Sequence, residues 1–141
     1  MYAEHLSASA GRDESLLIKS LKLFHCYTSV LNAAEIFSGC ENKIQTEKAK
    51  NSFFGSSVLG IPYKYSLSSG EILRKIRQKK LKNTYRDALI VSLCKETNLP
   101  FLSLNAEKYR DLFRIFGIRT ISRELIIHYK SPEEIFNKAK I

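Results

Sequence analysis

The stretch "NTYRDALIVSLCKETNLPFLSLNAEKY", residues 83–109, carries the pattern that sets the fold. Residues 84–97 read as an apolar helix, "PFLSL" (100–104) as a short strand, and 106–116 as a further helix. A short apolar strand between two helices is the repeating unit of an α/β protein. Within the first helix, Asp87 falls on the same face as Ile90, Val91 and Cys94, while Ser92, Lys95 and Glu96 mark the wet side. Burying an uncompensated carboxylate costs several kcal/mol, so Asp87 needs donors, a cation or a raised pKa. Thr84-Tyr-Arg-Asp87 also fits a capping box, in which the acid reaches back to the Thr84 amide. Asp87 is therefore either a capping acid or one that meets a cation or substrate. After the strand, Asn105 is a favoured N-cap residue. Ligands of parallel α/β sheets bind at the C-terminal ends of strands, which makes Ser103 and Asn105 site candidates by position.

The stretch "TSVLNAAEIFSG" (28–39) repeats the theme. It follows a β-leaning "FHCYT" (24–28) and reads as a helix with Thr28 or Ser29 as N-cap and Gly39 just past its end. Val30, Ala33, Ala34 and Phe37 cluster on one face, with Leu31 and Ile36 flanking the opposite side. Asn32 and Glu35 occupy a narrow polar strip, which is either a helix rim touching water or the opening of a site. Elsewhere, helices are expected over 13–23, 43–54 and 69–82, and strands over 58–66 and 117–122. Pro62 restricts the 58–66 strand to an edge or a strand start. In "SPEEIFNKAK" a last helix starts with Ser131 as N-cap, Pro132 first, and Glu134 closing a capping box. Strands alternating with helices imply an α/β sandwich with a mostly parallel sheet, in one domain over 1–141.

Composition narrows the function classes. With 141 residues and 44% hydrophobic content, the chain can bury a core. Lys+Arg 23 against Asp+Glu 14 gives a formal charge of +9, which favours polyanionic partners. Cys26, Cys40 and Cys94 form no CxxC pair and have no histidine cluster nearby, so they read as reduced thiols of a cytoplasmic protein. No segment approaches the roughly 18 apolar residues of a membrane span, and "MYAEHLSASAGRDESLL" lacks the charge-then-apolar order of a signal peptide. The positive charge is concentrated. Arg74, Lys75, Arg77, Lys79, Lys80, Lys82 and Arg86 lie in a run without an acid, while Ile72, Leu73 and Ile76 supply its packing side. Without an interspersed Glu there is no i,i+4 pairing, so the run reads as an anion-binding face that leads toward Asp87.

Taken together, "TSVLNAAEIFSG" and "YRDALIVSLCKETNLPFLSLNAEKY" resemble the PIN domain, in particular the VapC-type toxins of bacterial toxin–antitoxin pairs. The resemblance runs from about residue 2 to residue 123: a Glu inside the helix after a strand, "DALI" on an apolar helix, and a hydroxyl residue two before an Asn at the next strand end. It implies a PIN-like three-layer sandwich with a mostly parallel central sheet, and a metal-dependent endoribonuclease that hydrolyses RNA phosphodiester bonds. Carried over by position, Glu35 and Asp87 match the second and third acids that hold Mg²⁺ or Mn²⁺, Asn105 the polar residue after the strand, and Ser103 the supporting hydroxyl. Implied partners are RNA, a cognate antitoxin protein and a second copy in a homodimer.

Two departures stand out. The family's first strand carries an Asp in a "D-T/S-x-V-L" motif, and here "MYAEHLSASA" resembles the segment immediately after it, as in a chain N-terminally truncated relative to the family. Many relatives also carry an acid three residues beyond the Asn, where this chain has Lys108. Either the missing strand is encoded upstream of Met1, or the domain has decayed into an inactive PIN-like module that binds RNA or protein.

Overall fold

The computed structural model describes residues 15–104 and 106–139. The N-terminal segment matched above, the acidic start of the first helix and Asn105 lie outside the described residues. The elements run α1 (Leu16–Leu23), β1 (Cys26–Ser29), α2 (Val30–Ser38), α3 (Lys43–Ser52), β2 (Ser56–Leu59), a 3₁₀ turn (Tyr63–Tyr65), α4 (Ser66–Gln78) and α5 (Tyr85–Thr97). Then follow β3 (Phe101–Leu102), a second 3₁₀ turn (Ala106–Tyr109), α6 (Arg110–Phe116), β4 (Thr120–Ile121), α7 (Arg123–His128) and α8 (Pro132–Lys138). The chain is an α/β protein. Among the described residues, β1 pairs in parallel with β2 from Cys26↔Ser56 to Ser29↔Leu59, and β3 pairs in parallel with β4. Each pair is joined by helices, as parallel strands require.

Two apolar clusters hold α1, β3, β4 and the helices from α4 onward. Ile72 and Ile76 of α4 meet Ala88 and Val91 of α5, with Tyr109, Leu112, Phe113 and Ile118 closing the cluster. Leu16 of α1, Ile121 of β4, Ile126 of α7 and Ile135 of α8 form the other. β3 lies between them: Phe101 packs on the first cluster and its neighbour Leu102 on the second, as the two-residue period of a strand dictates. Fully buried side chains such as Ile72 and Leu112 each stabilise the fold by roughly 1.5–3 kcal/mol. Both strands of this pair are entered from a left-handed helix end, at Asn98 (φ 54°) after α5 and Gly117 (φ 65°) after α6. Asn and Gly tolerate that conformation, which stops the helix and turns the chain toward the sheet.

Several boundaries differ from the sequence reading. β1 sits at 26–29 because Ser29, not Thr28, caps α2, its hydroxyl accepting from the Asn32 amide at 3.2 Å. The 58–66 strand is corrected: β2 ends at Leu59, and after Pro62 the chain winds into a 3₁₀ turn and then α4. That helix therefore starts at Ser66 and stops at Gln78, leaving Lys79, Lys80 and Lys82 in the connection to α5. Ser92, assigned to the wet side, is fully buried, and its hydroxyl donates to the Tyr65 carbonyl at 3.3 Å. The α7 helix was not foreseen. Ser131 occupies the N-cap position of α8 but its side chain makes no capping hydrogen bond, so the expected capping box with Glu134 is corrected. Of the apolar face expected on α2, only Ala33 is buried, while Val30 and Phe37 are exposed. Among the described residues no helix is long and apolar enough to cross a membrane.

Candidate functional site

The site is built outward from the first turn of α5. Thr84 caps this helix: its hydroxyl accepts from the Asp87 amide at 3.3 Å, and Asp87 Oδ2 accepts from the Thr84 amide at 2.7 Å. The capping box is thus formed. Capping uses only one carboxylate oxygen. Oδ1 accepts from Lys108 Nζ at 2.9 Å, and the Tyr109 hydroxyl also bonds the carboxylate. Asp87 is 0% exposed, whereas the Lys108 side chain is 39% exposed. Burial raises the Asp87 pKa, but the Thr84 amide, Lys108 and Tyr109 outweigh it and hold the carboxyl below its ordinary range. Burial, with the neighbouring Asp87 charge, pushes the Tyr109 hydroxyl up to about 12, so it stays a neutral donor at physiological pH.

A second carboxylate belongs to the same cluster. Arg86, one residue before Asp87, donates to Glu35 Oε2 at 2.6 Å and to Asn32 Oδ1 at 2.8 Å. Asn32 in turn donates to the Thr28 hydroxyl at 3.2 Å, so the polar strip of α2 is tied to the end of β1. The Tyr109 hydroxyl lies near both Asp87 and Arg86, whose charges act on its pKa in opposite directions. Asn83 Nδ2 donates to the Lys108 carbonyl at 2.9 Å, fastening the 3₁₀ turn after β3 to the start of α5. Thr28 and Ser29 are buried beneath this network, and Glu35, at 59% side-chain exposure, opens to solvent.

The structure thus brings Glu35, Arg86 and Asp87 into one network with Asn32, Tyr109 and Lys108. Ser103 is half-buried directly after β3. Arg74, Arg77, Lys79, Lys80 and Lys82 are exposed and Lys75 half-buried; among the described residues none of these six forms an ion pair. The basic run therefore meets the acids at one residue, Arg86. Asn83, Lys108 and Tyr109 were not read as site members. The bonds that place Asn83 and Lys108 span 25 and 21 residues, and no local spacing marks them. Between the turn after Pro62, α4 and α5 lies a groove of about 270 Å³, lined by Ile61, Pro62, Tyr63, Gly70, Leu73 and Tyr85 among others, none of them a member of this cluster.

The donor chemistry suits a hard divalent cation, since carboxylate and amide oxygens are the ligands such ions prefer. Each carboxylate already carries a basic partner, Lys108 on Asp87 and Arg86 on Glu35. Among the described residues no group of three or more His, Cys, Asp or Glu side chains comes together. The sequence matches no protein-family model and no curated protein.

Proposed function

We propose that this chain is a PIN-like domain of the VapC toxin type, a three-layer sandwich acting as a metal-dependent endoribonuclease. The observation that carries this reading is that Glu35, from a helix far away in sequence, pairs with Arg86, the residue next to the buried Asp87 and the last of a solvent-facing basic run. Glu35, Asp87 and, by position, Asn105 are the residues to hold Mg²⁺ or Mn²⁺, with Ser103 supporting them. A bound ion of this kind supplies an acidified water and offsets charge on the scissile phosphate. The chain's own residues supply the rest. Lys79, Lys80, Lys82 and their neighbours attract the RNA backbone, Thr84 and Tyr109 hold Asp87 in one rotamer, and Asn32 fixes Arg86 beside Glu35. The antitoxin and the homodimer belong to the same proposal.

The charge matching of both carboxylates favours a second reading, a PIN-like module that binds RNA or protein without cutting. The two readings separate in one assay. Incubation of RNA with the protein and Mn²⁺ gives cleavage that Asp87→Asn abolishes under the first reading. Under the second, no Mn²⁺-dependent cleavage occurs, while salt-sensitive RNA binding is weakened by neutralising Lys79, Lys80 and Lys82 together. Cleavage that is equal in the wild type and Asp87→Asn removes the assigned mechanism.

A further inference from the structure

Two tyrosine rings line the groove between the turn after Pro62, α4 and α5, and both stand in water. Tyr63 is 92% exposed and Tyr85 63% exposed. Among the described residues neither ring stacks on another ring or on a cation. The charge around the groove is one-sided. On α4, Ser66, Gly70 and Leu73 line it as a stripe at helical spacing, and the next position on that stripe is the exposed Arg77. On α5, Tyr85 and Leu89 line it one turn apart. Tyr85 opens α5 directly after the connection that carries Lys79, Lys80 and Lys82, all exposed and without an ion pair among the described residues. None of the lining side chains is acidic, and Glu71, beside Gly70, is held by Lys95 at 2.8 Å.

We propose that this groove takes an unpaired base of a single-stranded nucleic acid, with Tyr63 and Tyr85 as its stacking rings and Arg77, Lys79, Lys80 and Lys82 on the adjoining phosphates. Proteins that bind single strands combine these two elements, aromatic faces for the bases and a basic border that tracks the backbone. At about 270 Å³ the groove is just below the roughly 300 Å³ at which pockets for whole small molecules begin, which suits one flat ring system. A duplex keeps its bases inside the stack, so it meets the cations and not the rings. An acidic peptide matches the cations as well, but two exposed rings on one apolar groove favour a flat aromatic partner. The step requires no metal ion. It rests on the RNA-binding part of the reading above, which the cutting and non-cutting forms share.

The test is fluorescence anisotropy of the full chain in EDTA, with labelled oligoadenylate, the same strand paired with oligouridylate, and labelled oligoglutamate. The proteins are the wild type, Tyr63→Ala, Tyr85→Ala, Tyr63→Phe and Tyr85→Phe, each checked for folding by circular dichroism. We expect each Ala variant to bind oligoadenylate about tenfold more weakly than the wild type, within the range of one lost stack. The Phe variants keep the ring and bind as the wild type does. Binding of the duplex, carried by charge, is the same in all of them. Unchanged oligoadenylate binding in the Ala variants, or an equal loss for the duplex, overturns the proposal and leaves the RNA-binding reading standing. A loss for oligoglutamate and not for oligoadenylate overturns it in favour of an acidic protein partner. No binding of either RNA by the wild type overturns both.

Discussion

Asp87 and Glu35 carry the same charge in one network, and the protein treats them in opposite ways. Asp87 is fully buried, accepts bonds from the Thr84 amide, Lys108 and Tyr109, and sits in the first turn of the most deeply packed helix. Glu35 is 59% exposed on a helix whose outer face meets water, and Arg86 is its ion-pair partner. A buried acid with this many donors is part of the fold whatever else it does, because its partners are orphaned without it. An exposed acid with one partner is held loosely and can be replaced with little structural effect. Loss of activity on mutating Asp87 is therefore ambiguous unless stability is measured with it, whereas Glu35 reports function alone.

The largest effect expected from this contrast is on folding. Asp87→Ala should destabilise the protein by about 3–5 kcal/mol in urea unfolding, the range for breaking a buried charge pair. The Thr84 amide and the Tyr109 hydroxyl would both lose their acceptor. A loss below about 1 kcal/mol would show that water replaces the carboxylate and that the two acids are alike.

A smaller difference is expected on the acid side of the pH profile. The Asp87 carboxyl is held below its ordinary range in the folded protein, while its unfolded value is about 3.9. Its contribution is then complete above the unfolded value and is lost as pH falls through the folded one. The melting temperature of the wild type should drop more steeply between about pH 5 and about pH 3 than that of Asp87→Asn. Parallel curves would contradict the assigned charge state.

Smallest of all is the structural effect at Glu35. Glu35→Gln should change stability by no more than about 0.5 kcal/mol, since the ion pair with Arg86 is exposed. If the proposed ribonuclease activity holds, the same substitution removes Mn²⁺-dependent RNA cleavage. A folded Glu35→Gln variant that cuts RNA at the wild-type rate would confine Glu35 to the rim.

Legibility along the chain followed the range of the interactions. The Thr84–Asp87 capping box joins residues three apart, and residue type with spacing is enough to mark it, whereas for α2 they leave Thr28 and Ser29 as alternatives between which the structure chooses Ser29. The burial of Asp87 was also readable from its place among Ile90 and Val91. Ser92 was misplaced because a hydroxyl can be buried when a carbonyl such as that of Tyr65 accepts from it, and periodicity does not show acceptors. The 58–66 strand was overrun because "YKYS" is aromatic and β-leaning, yet after Pro62 it winds into a 3₁₀ turn and the start of α4.

What the sequence determined by itself was the alternation of helices and short strands, the cap that starts α5, and an acid-free basic run beside a buried acid. Those features depend on neighbours within one or two helical turns, where covalent spacing alone sets the geometry. The tertiary structure decided which cation faces which acid: Lys108 on Asp87 across 21 residues and Arg86 on Glu35 across 51. The pairing of Lys108 with Asp87 depends on how α5 and the turn after β3 pack, and the energy that fixes it lies in their shared apolar cluster rather than in the charged residues themselves.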